Sequence, residues 1–213
     1  GRVQVYTYDK TTNPRRGRSE TQRRFDQFVN DRLFNAILGV GARVPAAVPR
    51  LNRLVGASYF RPYRRIDRGD RLLTVSVPPV HLENEYGVAV ENTAQMMDRV
   101  RRLIERERLS VGFVNEVRFV QADGNWLSGA YGRDSCQFGA YTPDGRHARR
   151  FLEGVEDIAY DLDGRPHWGK DHHADPAYLR TVFSRFDDFV ALRAEMDPDG
   201  VFVNDFTRRT FGL

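Results

Sequence analysis

Residues 92–120, NTAQMMDRVRRLIERERLSVGFVNEVRFV, change their period partway along, and that change decides the fold class. Between Asn92 and Leu109 the residues Met96, Met97, Val100, Leu103 and Ile104 return at three- and four-residue steps, with charge on every other side. That is a helix burying one stripe. Its methionines read as adaptable core packing rather than a cofactor feature. Between Phe113 and Val120 the period drops to two. Val114, Glu116, Arg118 and Val120 then share one face of a strand, and Phe113, Asn115, Val117 and Phe119 share the other.

Working outward, Leu72–Val77 and Glu85–Val90 read as strands divided by Pro78 and Pro79. A turn at Asp123-Gly124-Asn125 leads into a further strand, Arg133–Tyr141, and Pro143-Asp144-Gly145 turns the chain into a helix over Arg149–Tyr160. The order strand, strand, helix, strand, strand, helix predicts an α+β fold: a mainly antiparallel sheet with helices packed on one face. Upstream, Val3–Tyr8 reads as a strand. Ser19–Leu38 reads as a helix with a Ser19/Gln22 capping box, stopped by Gly39 and Gly41, and a shorter helix follows Pro49. Downstream, Asp163-Gly164-Arg165-Pro166 breaks the pattern. A last helix is expected over Asp175–Met196, with Pro176 at its first position, and the short segment Val201–Asn204 leads to the C-terminus.

A chain of 213 residues with 40% hydrophobic and 29% charged residues has an ordinary globular composition. No apolar run approaches the roughly 18 residues of a membrane span. The chain opens in a predicted strand without a signal segment, so it reads as a piece of something longer, and cytoplasmic residence is the default expectation. Cys136 is the one cysteine and reads as a small buried residue, leaving the redox compartment open. The net charge of +4 raises nucleic acid as a partner, but most arginines alternate with acids on helix faces, the pattern of a solvated surface. Nucleic acid is therefore not the expected partner. Lysine is scarce: only Lys10 and Lys170 occur. Where arginine is the default cation, a lysine can mark a need for a compact ammonium.

Two clusters can carry chemistry. Glu116 and Arg118 project side by side from a strand with apolar neighbours, either as an exposed ion pair or as a charged floor to a pocket. His167-Trp168-Gly169-Lys170 places four distinct side chains between a turn and a helix, with Trp168 also able to plug the core. His172 and His173 lack the spacing and cysteine partners of a metal site, so none is expected. There is no glycine-rich phosphate loop, and Ser128 lacks the nucleophile-elbow frame.

Taken in order, Glu85-Tyr86-Gly87-Val88-Ala89-Val90, Glu116-Val117-Arg118-Phe119, Tyr131-Gly132-Arg133-Asp134-Ser135, Arg165-Pro166-His167-Trp168-Gly169-Lys170 and Asp197–Asn204 resemble the C-terminal portion of the D-arabinono-1,4-lactone oxidase family. That family is close to gulonolactone and alditol oxidases among vanillyl-alcohol-oxidase-type flavoproteins. The resemblance implies a substrate-binding cap domain over 1–165 and, over 166–213, a segment that returns to an N-terminal FAD-binding domain missing from this chain. It implies FAD as cofactor, a small-molecule sugar lactone or polyol as substrate, and oxidation of CH–OH by hydride transfer to flavin. Carried over, Glu116, Arg118 and Lys170 are the catalytic set, and Lys170 approaches the flavin's pyrimidine side with His167 and Trp168 in the same cofactor-facing element. Arg118 would fix the substrate oxygen. Glu116, paired with a guanidinium, would orient or hydrogen-bond rather than take the proton. Gln137 and Tyr141 alternate with Gly139 and would line the substrate side. Polyol-oxidising relatives favour a histidine where Gly139 falls, which leaves a lactone or another alcohol open. The alternative is a non-catalytic cap or interaction module that needs a partner chain.

Overall fold

The computed structural model describes residues 4–17, 19–59, 63–72, 81–112, 115–143 and 145–213. The chain folds as two compact units, one of Gly1–His81, Ser110–Phe113 and Pro143–Arg146, the other of Leu82–Leu109, Val114–Thr142 and His147–Leu213.

The first unit is helical. Helix α1, Glu20–Phe28, starts from the expected capping box: Gln22 N–H donates to Ser19 Oγ, and Ser19 N–H donates to the Gln22 side chain. A wide π turn, Val29–Phe34, carries the chain into α2, Asn35–Arg43. The helical path therefore runs past Gly39 and Gly41, against expectation. The reason is packing: a Cβ on Gly41 would stand 3.3 Å from Val48 Cγ2, so the glycine admits helix α3, Val48–Tyr59. Much of the apolar stripe stays exposed, with Phe25, Phe28 and Leu33 each at least half open to solvent. Residues 4–8 form no strand; Val5 and Tyr8 are exposed, and alternation without a neighbouring edge makes no ladder. Leu72 closes a short helix α4, Gly69–Leu72, and the rest of the strand expected over 72–77 lies outside the described residues.

The second unit has the predicted α+β form. Strand β1, Leu82–Ala89, leads through a 3₁₀ turn into α5, Thr93–Arg106; then come β2, Glu116–Val120, β3, Ser135–Thr142, and α6, Ala148–Tyr160. Arg165–Pro166, expected to be only a break, forms a fourth short strand β4 on the free edge of β1. The sheet order is β2-β3-β1-β4, with every neighbouring pair antiparallel. Helices α5 and α6 cover one face. There Tyr86, Val88, Cys136, Phe138 and Ala140 meet Met96, Val100, Leu103, Phe151 and Val155, all buried. Asn84 donates to the Leu152 carbonyl and ties β1 to α6.

The long C-terminal helix is two helices, α7, Pro176–Val182, and α8, Phe186–Met196. The Val182 carbonyl, which a continuous helix would use internally, instead accepts from buried Arg165 Nε at 2.7 Å. The break lets Leu179, Val182, Phe183 and Phe186 enter one core with Trp168 and Phe211. A final helix, α9, Asp205–Phe211, was not expected; Asn204 and Thr207 form its capping box and Gly212, at φ 70°, ends it.

Candidate functional site

The register sorts the second sheet face into rows. Glu83 of β1 lies opposite Tyr141 of β3. Glu85 lies opposite Gly139, which lies opposite Glu116 of β2; Gly87 lies opposite Gln137, which lies opposite Arg118. Because alternate residues share a face, all of these project away from the helices. The two ends of this face differ. At Gly87 it is covered: a Cβ there would meet the Gln137 amide at 2.7 Å and the Gly129 carbonyl at 3.0 Å. The covering loop is braced by Asp123, which accepts from Ser128 Oγ at 2.6 Å and from Asn125 N–H at 2.9 Å. Arg165, opposite Gly87, is sealed beneath it, donating to Tyr131 O and Val182 O. Burial, with Arg133 nearby, pushes the Arg165 guanidinium down to about 10.

Toward Glu83 and Glu116 the face carries charge. Arg118 Nη2 donates to Glu85 Oε1 at 2.5 Å, and Arg118 Nε stands 3.6 Å from Glu116 Oε1. The Glu85 side chain is 3% exposed and that of Arg118 50%, so a buried carboxylate holds one terminal nitrogen of a guanidinium that still reaches solvent. Burial works against the Arg118 charge, but Glu85 and Glu116 together hold it above the usual arginine value. Glu85 and Arg118 meet diagonally across β3, beside Gly139. Tyr141 folds over that glycine: a Cβ at 139 would lie 2.8 Å from its Oη. The Tyr141 hydroxyl donates to Glu116 Oε2 at 3.1 Å, and burial together with Glu116 and Glu85 keeps it a neutral phenol.

Lys170 arrives from the opposite edge. After β4 the chain continues along β1, with His167 N–H donating to Glu85 O and Asp171 N–H to Glu83 O. Between these two bonds the Lys170 ammonium pairs with the Glu83 carboxylate. Glu83 and Glu85 are two residues apart on the same face, so β1 supplies the carboxylates that gather Arg118 from one side and Lys170 from the other.

The expected residues thus separate. Glu116, Arg118, Tyr141 and Lys170 come to one sheet face. Gln137 lies on that face but under the covering loop, its amide donating to Ser135 Oγ. Trp168 goes to the core, its indole N–H donating to Leu127 O and its ring stacked on Phe211. The exposed His167 ring accepts from Gly169 N–H. Glu83 and Glu85 are the members sequence reasoning missed. The available signal was their spacing of two, in phase with Glu116 and Arg118 once the strand is started at Leu82. Among the described residues no group of three or more His, Cys, Asp or Glu is placed to hold a metal ion.

The fold and site define an α+β module whose sheet face opposite α5 and α6 joins acids and cations from two strands and a following loop, with a tyrosine from a third strand. A sequence profile described as D-arabinono-1,4-lactone oxidase matches residues 1–210, and the chain belongs to that family. It is 37% identical over 187 residues to an L-gulono-1,4-lactone dehydrogenase of Mycobacterium tuberculosis, covering 88% of this chain and 43% of that protein. It is 26% identical over 216 residues to an L-gulonolactone oxidase of Scyliorhinus torazame, covering 99% and 49%. Identity to a Streptomyces alditol oxidase is 33% over 129 residues, covering 60% and 31%. The chain spans less than half the length of these curated relatives.

Proposed function

We propose that this chain is the substrate-side and C-terminal part of an FAD-dependent oxidoreductase that oxidises a CH–OH group of an aldonolactone or polyol. The observation that carries the reading is the convergence of Arg118, Glu116, Tyr141 and Lys170 on one sheet face through Glu85 and Glu83. Three carboxylates against two cations give this set no surplus positive charge. That suits a neutral, hydroxyl-rich substrate better than an anionic one, since carboxylates accept from hydroxyls.

The donor set also fits a flavin. Glu83 occupies one of the three donors of the Lys170 ammonium, leaving capacity for a ring oxygen or nitrogen. Bound flavin would supply the hydride acceptor. Arg118 fixes the substrate oxygen and stabilises negative charge developing there, Glu116 and Tyr141 orient the neighbouring hydroxyls, and Lys170 donates toward the cofactor edge. In this reading residues 1–165 are the substrate cap and 166–213 the segment that packs back on an FAD-binding domain outside this chain. The greater length of the relatives supports a domain outside this chain.

The test uses the intact flavoprotein that contains this chain, mixed without oxygen with a panel of aldonolactones and alditols. Bleaching of the flavin by at least one compound, abolished in Arg118→Ala, is the expected result. A flavin that no compound bleaches overturns the reaction class, and full activity in Arg118→Ala overturns the role given to the guanidinium.

A further inference from the structure

Glu156 lies on α6, against the helix-covered side of the sheet, and its side chain is 7% exposed. A buried carboxylate is costly unless donors replace its water. Three do: Tyr160 Oη, His173 N–H at 2.7 Å and His173 Nδ1 at 2.7 Å. Two of the three come from one residue far along the chain, whose own side chain is 73% exposed and so is not held by packing.

The path between Lys170 and His173 gives this tie its meaning. Lys170 sits on the polar face with Glu83, Asp171 N–H bonds the edge of β1 through Glu83 O, and His173 reaches Glu156 on the opposite side of the sheet. The chain therefore wraps over the β1 edge. On the near side it is fastened by Trp168 to Leu127 O, and His172 is packed against Trp168 and Phe206.

We propose that Glu156 is a positioning residue: through His173 it clasps the 167–173 loop around the sheet edge and so keeps Lys170 beside Glu83 on the polar face. The proposal rests on the functional reading only in the importance it gives to Lys170. The clasp itself is a property of the chain. The charged groups acting on His173 are Glu156, Asp171 and Arg209. The hydrogen bond to Glu156 leads in holding the imidazole above its ordinary value, so the charged form of the clasp is complete below that ordinary value near 6.5 and weakens as pH rises through the titration of His173.

The two-lysine composition supplies the assay. Lys10 is exposed and belongs to the other unit, so it serves as an internal standard. The full 213-residue chain is treated briefly with an amine-acetylating ester at pH 7.5, and modification of Lys170 relative to Lys10 is read by peptide mass spectrometry. Glu156→Gln should raise that ratio about tenfold, the scale set by losing a charge-assisted hydrogen bond, with Lys10 unchanged. His173→Ala, whose removed side chain is largely exposed, should raise it by a smaller factor and carries the test if Glu156→Gln does not fold. In the spectroscopic arm, the His173 titration midpoint followed by NMR should fall in Glu156→Gln. A Lys170 ratio within about twofold of the native chain in both variants, or an unmoved His173 midpoint, overturns the clasp. Because the readout is amine reactivity, a failed clasp leaves the oxidoreductase reading standing, and an inactive flavoprotein leaves the clasp standing.

Discussion

Replacing Arg118 by alanine is the sharpest perturbation of this molecule, because it strands a carboxylate that the fold has already taken out of water. Glu85 is on an inner strand and 3% exposed, while its partner is half exposed. Breaking a fully buried pair costs about 3–5 kcal/mol and a surface pair at most about 1 kcal/mol. With one partner in each environment, Arg118→Ala should cost about 1–3 kcal/mol. For a chain of this size that lowers the unfolding midpoint by about 2–4 °C for each kcal/mol. The discriminating assay is a double-mutant cycle by urea denaturation with Glu85→Gln. Once the carboxylate is gone the alanine strands nothing, so the double variant should be more stable than the sum of the single losses by about 1 kcal/mol or more. Additivity within about 0.5 kcal/mol would refute the reasoning, since Glu85 and Arg118 would then not be energetically coupled.

Gly139→Ala should displace the Tyr141 ring and break its bond to Glu116. The unfolding free energy should shift by no more than about 1 kcal/mol. In the intact flavoprotein the same change is expected to raise KM for the best substrate while kcat moves less, which steady-state kinetics would reveal. Lys170→Met should slow flavin reduction by about 10²–10³-fold in rapid-mixing absorbance measurements, the scale of one preorganised donor. His172, buried between Trp168 and Phe206 and pushed down to about 4 by burial and then by Arg209, is neutral in the folded chain. A depressed histidine binds fewer protons folded than unfolded, so its contribution is intact above the ordinary value near 6.5 and is lost as pH falls toward 4. Urea midpoints at pH 7.5 and 4.5 should therefore differ less in His172→Leu than in the native chain. Asn204→Ala removes the α9 capping box and should cost about 1 kcal/mol, checked by thermal unfolding.

What sequence alone determined about this protein was local and periodic. The stripe of Met96, Val100 and Leu103 and the Ser19/Gln22 box specified helices. The two-residue alternation around Glu116 and Arg118 put both on one face, because rise and pleat depend on nothing beyond neighbouring residues. The α9 helix is equally legible in its local signals, Asn204, Thr207 and Gly212. Tertiary structure alone decided which strands became neighbours, and so that Glu85 would reach Arg118 across β3. It decided that Arg165 would take a carbonyl from the C-terminal helix and split it in two. It also sent Trp168 to the core and Lys170, two residues later, to the charged face. Such outcomes turn on hydrogen bonds and ion pairs between residues tens of positions apart, whose partners are set by strand order and burial rather than by spacing along the chain.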